Sequence, residues 1–213
     1  MDDGVDADKR ATLRRFAALG AATPLADLGG GRGGDDADPP DGGDTRAAVR
    51  GYVAATPGAH FSKVRDDLRL ATGEAQHHLR RLVDAGDVES RRDGDYRRFY
   101  PAGRFTAFER TVLGHLRRGT RRGMVLAALR RPGVSGADLA AALDVTPATV
   151  SAHAGDLTAD GVLARTDGTG EDGGYRACRP ATVVTLVVRH ADSLGADAAA
   201  FAADADGLLR YDP

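Results

Sequence analysis

The sequence has almost no cysteine and few aromatic residues. Its 213 residues include one cysteine, Cys178, and no tryptophan, and aromatic residues make up only 5%. A single cysteine excludes an intramolecular disulfide and a zinc or iron–sulfur site built from thiolates. We therefore expect small helical units with cores of Leu, Val and Ala, no metal, no cofactor and no catalytic activity, in a reducing cytoplasm.

Long apolar runs are also lacking. Charged residues interrupt every stretch that approaches the roughly 20 apolar residues needed to cross a bilayer, so no membrane partner is expected. One segment complicates this picture, because Arg14-Arg15-Phe16 and the apolar residues after it are similar to a twin-arginine export signal. That apolar run is short and is broken by Pro24 and Asp27, so export is the less favoured alternative to a cytoplasmic location.

Lysine is scarce, since Lys9 and Lys63 are the only two. The excess of Arg, Asp and Ala indicates a GC-rich coding bias and is compatible with a salt-adapted host. The formal net charge of -2 is unevenly distributed, with -5 over residues 1–44, +3 over 45–101, +3 over 102–180 and -3 over 181–213. Two mildly basic blocks between acidic ends favour a polyanionic partner.

The N-terminal region divides into two parts. Residues 1–28 contain Leu13, Phe16 and Ala17 at helical spacing, which predicts an amphipathic helix. Residues 29–44 are rich in Gly and Asp and have no hydrophobic face. Such a segment cannot offset the entropy of being ordered, so we predict a disordered acidic linker.

A comparison of the chain with itself at an offset of 75 residues indicates a duplicated unit. The ungapped matches include Arg46 with Arg121, Pro57 with Pro132, Leu68 with Leu143, His78 with His153 and Gly86 with Gly161. Tyr96 and Tyr175 match at an offset of 79, so the second copy has four extra residues in one loop. The same small fold is therefore predicted twice, over residues 45–101 and 121–180.

The first copy is predicted to contain three helices. They are expected over residues 45–55, from Ser62 to residue 68, and from Thr72 to Gly86, with Ser62 and Thr72 acting as N-caps. Leu70 is expected to fill the angle between the second and third helices. The third helix would bury its apolar positions Ala75, Leu79 and Leu82.

A β-hairpin is predicted to follow these helices. Asp93-Gly94 is a strong two-residue turn signal between two strand-forming segments. A turn at these residues would place Val88 opposite Phe99 and Glu89 opposite Arg98.

The second copy has clearer local signals. Its first helix is expected over residues 121–131, Ser135 with Asp138 forms a start similar to a capping box, and Thr146-Pro147 is a cap followed by proline. Residues 102–120 are predicted to form a connecting helix. Residues 181–213 are predicted to be helical rather than a β-strand, and their apolar side chains would either pack within the chain or form a homodimer through residues 181–209.

Residues 144–163, which include Thr146-Pro147 and the glycine at position 161, closely resemble the recognition segment of winged helix-turn-helix transcription regulators of the antibiotic-resistance and arsenical-resistance repressor types. Residues 60–100 resemble the same family, and residues 45–180 look like the tandem winged-helix regulators of haloarchaea. The resemblance implies a mainly α fold with small β-hairpin wings (α+β), arranged as two tandem winged helix-turn-helix units. It also implies a sequence-specific transcription regulator whose partner is double-stranded DNA.

A physical argument for DNA stands beside this resemblance. A helix about 10–12 Å across fits the major groove, where a glutamine suits adenine and an arginine suits guanine or a phosphate. The hairpin arginines at 91, 92, 97 and 98, next to Tyr96 and Tyr100, would form a wing that contacts the DNA backbone or the minor groove. The predicted DNA-binding residues of the first copy are Lys63, Thr72, Gln76, His77, Arg80, Arg81, Arg91, Arg92 and Arg97. Those of the second copy are Thr146, Thr149, Ser151, Ala152 and Arg165.

Two alternatives stay open. The second copy has no Arg or Lys between Arg131 and Arg165, so it either contacts DNA weakly or has become a packing or sensing module. The hairpin arginines could also be solvated charges paired with neighbouring acids. Because the positive charge is mild, the chain as a whole could instead be a winged-helix protein–protein interaction module without direct DNA contact.

Overall fold

The computed structural model describes residues 3–21, 42–166 and 173–208. Over these residues the protein is mostly helical with two small antiparallel sheets, which confirms the predicted α+β class. The chain divides into two compact units, Met1–Phe105 and Thr106–Pro213. No helix in the described part of the chain has both the length and the apolar character needed to cross a membrane.

The first unit combines five helical or extended segments with a β-hairpin. In chain order its elements are α1 (Asp3–Ala21), α2 (Gly42–Ala55), β1 (Ala59–His60), α3 (Phe61–Asp67), α4 (Thr72–Asp84), β2 (Val88–Asp93) and β3 (Tyr96–Pro101). The sheet has the order β1-β3-β2, and both pairings are antiparallel. Because α2 begins at Gly42, residues 42–44 of the predicted linker are helical, and the rest of that linker lies outside the described residues.

The core of the first unit lies where α2, α3 and α4 meet the sheet. Its buried members are Val49, Tyr52, Val53, Ala59, Val64, Leu68, Leu70, Ala75, Leu79, Leu82, Val88 and Phe99. The predicted N-terminal helix is present as α1, and its Leu13 and Phe16 pack against this core. The ring of Phe16 meets that of Tyr52 edge to face, with 5.1 Å between the centroids.

In the turn between α3 and α4, Leu70 is buried between the helices as predicted, but the predicted N-caps are not present. Leu70 is buried in the core. The N-cap of α3 is His60 instead of Ser62, because the chain passes directly from β1 into the helix, and His60 Nδ1 accepts a hydrogen bond from the Lys63 amide. Thr72 is the first helical residue of α4 and not its cap.

Elements of the second unit follow in the order α5 (Ala107–Leu116), α6 (Gly119–Arg130), α7 (Gly136–Leu143), α8 (Pro147–Ala159), β4 (Leu163–Arg165), β5 (Tyr175–Ala177), α9 (Pro180–Leu194) and α10 (Ala196–Leu208). β4 and β5 pair antiparallel, and the residues at the tip of this predicted hairpin lie outside the described part. The local signals are confirmed, since Ser135 Oγ accepts from the Asp138 amide and Thr146 Oγ1 accepts from the Thr149 amide.

Within the described residues the C-terminal segment is helical, as predicted, and it forms α9, with Pro180 in the first turn, and α10, while residues 209–213 lie outside the described part. Apolar side chains of α9 and α10 are buried within the unit; they are Val183, Val184, Leu186, Val187, Ala191, Leu194, Ala198, Phe201 and Ala205. Packing within the chain therefore accounts for most of the apolar surface that suggested a homodimer. Val188 is an exposed exception, with 41% of its surface accessible.

Candidate nucleic-acid interface

α4 presents one apolar face and one polar face. Ala75, Leu79 and Leu82 are buried as predicted, and His78 is buried beside them with 5% of its surface exposed. Residues three or four positions apart share a face of a helix, so the exposed residues between these buried positions form the opposite face, which points to solvent.

The solvent face of α4 holds three of the predicted DNA-binding side chains, Gln76, His77 and Arg80. The Arg80 side chain is 85% exposed, and its Nε lies 3.8 Å from Asp84 Oδ2. An ion pair this exposed contributes little free energy, so a stronger anionic partner can replace it at small cost. Gly73, on the same face, has open space around its Cα, which permits close approach of another molecule.

One flank of α4 is directed toward α1 and α2. Glu74 Oε2 accepts a hydrogen bond from the Ala71 amide at 3.2 Å, and Lys9 Nζ lies 3.4 Å from the same oxygen. Arg81 lies on this flank too and is half-buried. Sequence reasoning did not anticipate the contact of α1 with α4, because no local pattern links residues 65 positions apart.

The hairpin register differs from the prediction. Val88 pairs with Pro101, Ser90 with Phe99 and Asp93 with Tyr96, so the two turn residues are Gly94 and Asp95. Gly94 has φ of 60° and takes the first central position of the turn, where glycine is favoured in type II′ turns. The predicted pairs of Val88 with Phe99 and of Glu89 with Arg98 are therefore wrong.

Three of the predicted wing arginines, Arg91, Arg92 and Arg97, are exposed on β2 and β3. Arg97 is held in place by Ser90, whose Oγ accepts hydrogen bonds from Nε at 3.0 Å and from Nη2 at 2.8 Å. Its guanidinium also lies 5.7 Å from the centre of the Phe99 ring. Such support fixes the direction of a long side chain before any ligand binds.

Arg98 was expected in the wing, but it is a buried structural residue with 2% of its surface exposed. Its Nη1 donates to the Gly58 carbonyl at 2.8 Å, and its Nε donates to Asp93. The reason is the pairing of β1 with β3, which places Arg98 opposite His60. The alternative that the hairpin arginines pair with neighbouring acids therefore applies to Arg98, which pairs with Asp93.

The two hairpin tyrosines also differ. Tyr96 is 47% exposed, whereas Tyr100 is 1% exposed and packs against Phe105. Tyr100 is thus in the interior and does not belong to the wing surface.

His60 joins α3 to the hairpin and was not singled out in the sequence. Its ring lies 4.9 Å from that of Tyr96. Burial first, and then the charges of Arg98 and Lys63, lower the pKa of His60. A neutral ring is consistent with Nδ1 accepting the Lys63 amide proton. No sequence signal marks this residue, because a two-residue strand is too short to show periodicity.

The remaining predicted residues of the first unit are accessible. Lys63 is half-exposed, and its Nζ lies 2.9 Å from Asp67 Oδ2, which also accepts a hydrogen bond from the Tyr52 hydroxyl at 2.6 Å. Thr72 is exposed at the start of α4. Both lie at the helix-turn-helix element, where phosphate contacts would position the protein on DNA.

In the second unit the corresponding face of α8 carries small side chains, most of them polar. Thr146, Ser151 and Ala152 are exposed and Thr149 is half-buried, with 2.9 Å between the hydroxyls of Thr146 and Thr149. Arg165 is exposed on β4, and its Nη2 donates to the Tyr175 hydroxyl at 3.1 Å. At the sequence offset of 75, Gly155 takes the place of Arg80 and Asp156 the place of Arg81.

Residues 43–113 match the family HTH_HVO_0163_N, an N-terminal HTH domain. The match starts in α2 and includes α3, α4, the hairpin and most of α5. No curated protein matches the chain. Residues 43–113 are thus a helix-turn-helix unit, a kind of domain with which regulatory proteins contact DNA.

Proposed function

We propose that the protein is a transcription regulator that binds double-stranded DNA sequence-specifically through tandem winged helices. The observation that carries the proposal is the composite surface of the first unit. Gln76, His77 and Arg80 lie exposed on α4, and the chain then enters a hairpin with exposed arginines at positions 91, 92 and 97. A helix with polar side chains beside a cationic hairpin suits a groove flanked by phosphates.

α4 is the base-reading element in this proposal. The Gln76 amide can donate to N7 and accept from N6 of adenine in a bidentate contact, and the Arg80 guanidinium can donate two hydrogen bonds to guanine. Both side chains are exposed on the same helix face, one turn apart. Sequence preference should therefore depend on these two residues.

The β2–β3 hairpin acts as the wing. Arg91, Arg92 and Arg97 would neutralise phosphates or enter the minor groove, while Lys63 and Thr72 contact the backbone near the start of the recognition helix. In a host that accumulates molar salt, the Debye length falls to about 3 Å, so base contacts must supply more of the affinity.

The second unit reads DNA more weakly in this proposal. α8 would approach the bases with Thr149, Ser151 and Ala152, and Thr146 and Arg165 would contact the backbone. The absence of a cation at Gly155 and the carboxylate of Asp156 instead favour the alternative function, a winged-helix protein interaction surface, for this unit. The two functions differ in whether α8 substitutions change DNA affinity.

Fluorescence anisotropy with duplexes selected from randomised DNA tests the proposal on the full chain. We expect specific binding whose affinity falls with salt, and Arg91→Ala should reduce the slope of log K against log salt by about 1. Arg80→Ala should lower affinity for the selected duplex by about 5- to 100-fold and relax its preference at one base pair. Arg189→Ala on α9 is the matched control, because it removes an exposed arginine outside the helix-turn-helix unit.

The alternative predicts a different result. If no duplex binds in a salt-dependent manner, or if Arg80→Ala and Arg189→Ala have equal effects, the regulator proposal fails. A nuclease-treated pull-down that retains the same partners would then favour the protein interaction module.

Two further expectations accompany the proposal. A DNA partner fits the predicted cytoplasmic location. The resemblance to haloarchaeal regulators also leads us to expect that the host is a halophilic archaeon. Homodimerisation through residues 181–209 stays a prediction, which the molar mass of the chain in solution tests. Val188→Glu would weaken such a dimer, since Val188 is a large apolar residue exposed on α9.

A further inference from the structure

A cavity of about 290 Å³ lies between α2 and the last turns of α4 in the first unit. Arg46 and Arg50 line it from one face of α2, because they are four residues apart, and Arg81 lines it from α4. Leu82 and Asp87 also contribute to the wall. The described lining residues therefore include three guanidinium groups and one carboxylate.

The second unit supplies an internal comparison at the offset of 75 residues. Arg46 corresponds to Arg121, and Arg81 corresponds to Asp156. In the second unit Arg121 Nη2 donates to Asp156, so the chain itself provides a carboxylate for the arginine of the first helix. In the first unit the same two positions are both arginines, and they line the same cavity.

We propose that this cavity binds a small oxyanion, a phosphate or carboxylate group of a free small molecule, in the place that the Asp156 carboxylate takes in the second unit. Guanidinium groups bind such oxyanions through paired N–H donors and prefer them to monatomic anions. The volume lies at the lower end of the range of ligand pockets, which suits phosphate or a small organic acid.

The bound anion would connect the start of the helix-turn-helix unit to the end of its recognition helix. Arg81 directly follows Arg80, whose side chain lies on the solvent face of α4. Holding Arg81 against Arg46 and Arg50 would fix α4 relative to α2. The anion site itself does not depend on DNA binding, so the two proposals can fail separately.

Thermal unfolding of the full chain in inorganic phosphate, compared with sodium chloride at equal ionic strength, tests the site. We expect a saturable rise in Tm of about 3–8 °C at a phosphate concentration tenfold above the dissociation constant. Phosphate also stabilises proteins without saturation by exclusion from their surface, so the saturable part is the relevant quantity.

Arg81→Asp should abolish the saturable rise, because it copies the internal carboxylate of the second unit and should fold for the same reason. Arg80→Asp is the matched control, since it makes the same charge change one residue away on the solvent face and should retain the rise. Arg46→Gln provides a second loss-of-site variant with a smaller change. No saturable rise in the natural chain, or an equal loss in both Asp variants, overturns the proposal.

A final arm separates a free anion from a DNA phosphate. The phosphate titration is repeated in the presence of a saturating duplex. A rise that persists supports a small-molecule site, whereas a rise that the duplex removes overturns it and assigns the cavity to the DNA backbone.

Discussion

His115 Nε2 lies 2.8 Å from Asp160 Oδ2, and the His115 side chain is buried. Arg121 Nη1 lies 3.3 Å from the other ring nitrogen, Nδ1. A guanidinium can only donate, so Nδ1 accepts and Nε2 carries the proton that it donates to Asp160. The end of α5 is thereby joined to the end of α8 through a neutral histidine.

This arrangement makes the stability of the second unit depend on pH. Burial, and then the charge of Arg121, lower the pKa of His115 below 6.5, although the hydrogen bond that His115 donates to Asp160 acts in the opposite direction. Burial and Arg121 also lower the pKa of His153, whose Nδ1 accepts from Arg121 Nε at 3.3 Å. The unfolded histidines bind protons near pH 6.5 and the folded ones only at lower pH, so stability is complete above about pH 6.5.

Acidification from pH 6.5 toward the folded pKa values should therefore decrease the free energy of unfolding. Denaturant titrations at pH 7.5 and 5.5 measure this decrease. The double variant His115→Gln, His153→Gln should lose less stability over the same interval. An unchanged pH dependence in that variant would show that other groups are responsible.

Arg97 and Arg98 are neighbours on β3 with opposite roles. Arg98→Ala should reduce the free energy of unfolding by about 2–3 kcal/mol, because the hydrogen bonds to Gly58 and Asp93 are lost in a buried place. Arg97→Ala should change stability by about 0.5 kcal/mol or less but weaken DNA binding. Chemical denaturation and anisotropy of both variants check the contrast, which fails if Arg97→Ala is the more destabilising.

Two glycines of the second unit should respond in opposite directions to alanine. A Cβ at Gly174 would lie 2.0 Å from the Gly133 carbonyl oxygen, a backbone atom, so Gly174→Ala should cost about 3 kcal/mol. A Cβ added at Gly155 in α8 would meet no atom of another segment within 4 Å, so Gly155→Ala should stabilise the helix by about 0.5–1 kcal/mol. Thermal unfolding of the two variants tests both signs.

Phe16 tests whether α1 is part of the first unit. It is half-buried against the core and meets Tyr52 edge to face, so Phe16→Ala should destabilise the unit by about 1–3 kcal/mol. The exposed neighbour Arg15 is the control, and Arg15→Ala should have little effect. Equal stability of both variants would mean that α1 does not support the core in solution, as expected of a segment used only for export.

Much of the helical structure was predictable because its signals are local. Ser135 and Thr146 cap α7 and α8 through amides three residues away, and Gly86 follows the end of α4 with φ of 78°. These effects depend on neighbours within one turn, so the sequence shows them directly. The failed caps at Ser62 and Thr72 occur where a strand or a tight turn precedes the helix.

For some of the predicted site residues the local sequence pattern was sufficient, whereas for others the position depends on strand pairing. The exposure of Gln76 and Arg80 followed from the spacing of the buried residues on the same helix. The hairpin register did not follow from the sequence in this way, because Asp93-Gly94 and Gly94-Asp95 can both form a two-residue turn. Which of the two forms the turn changes every cross-strand pair of the hairpin.

The amino-acid sequence alone determined most of the helices, their order and the polar face of α4, because short-range spacing and capping set them. The predicted connecting helix over residues 102–120 is shorter than expected and spans Ala107–Leu116. Only the tertiary structure decided that Arg98 is buried while Arg97 is exposed, and that Arg46 and Arg81 line one cavity. These outcomes depend on contacts between residues about 35 to 40 positions apart, such as Arg98 with Gly58. Chain segments so distant in sequence come together only when the core forms.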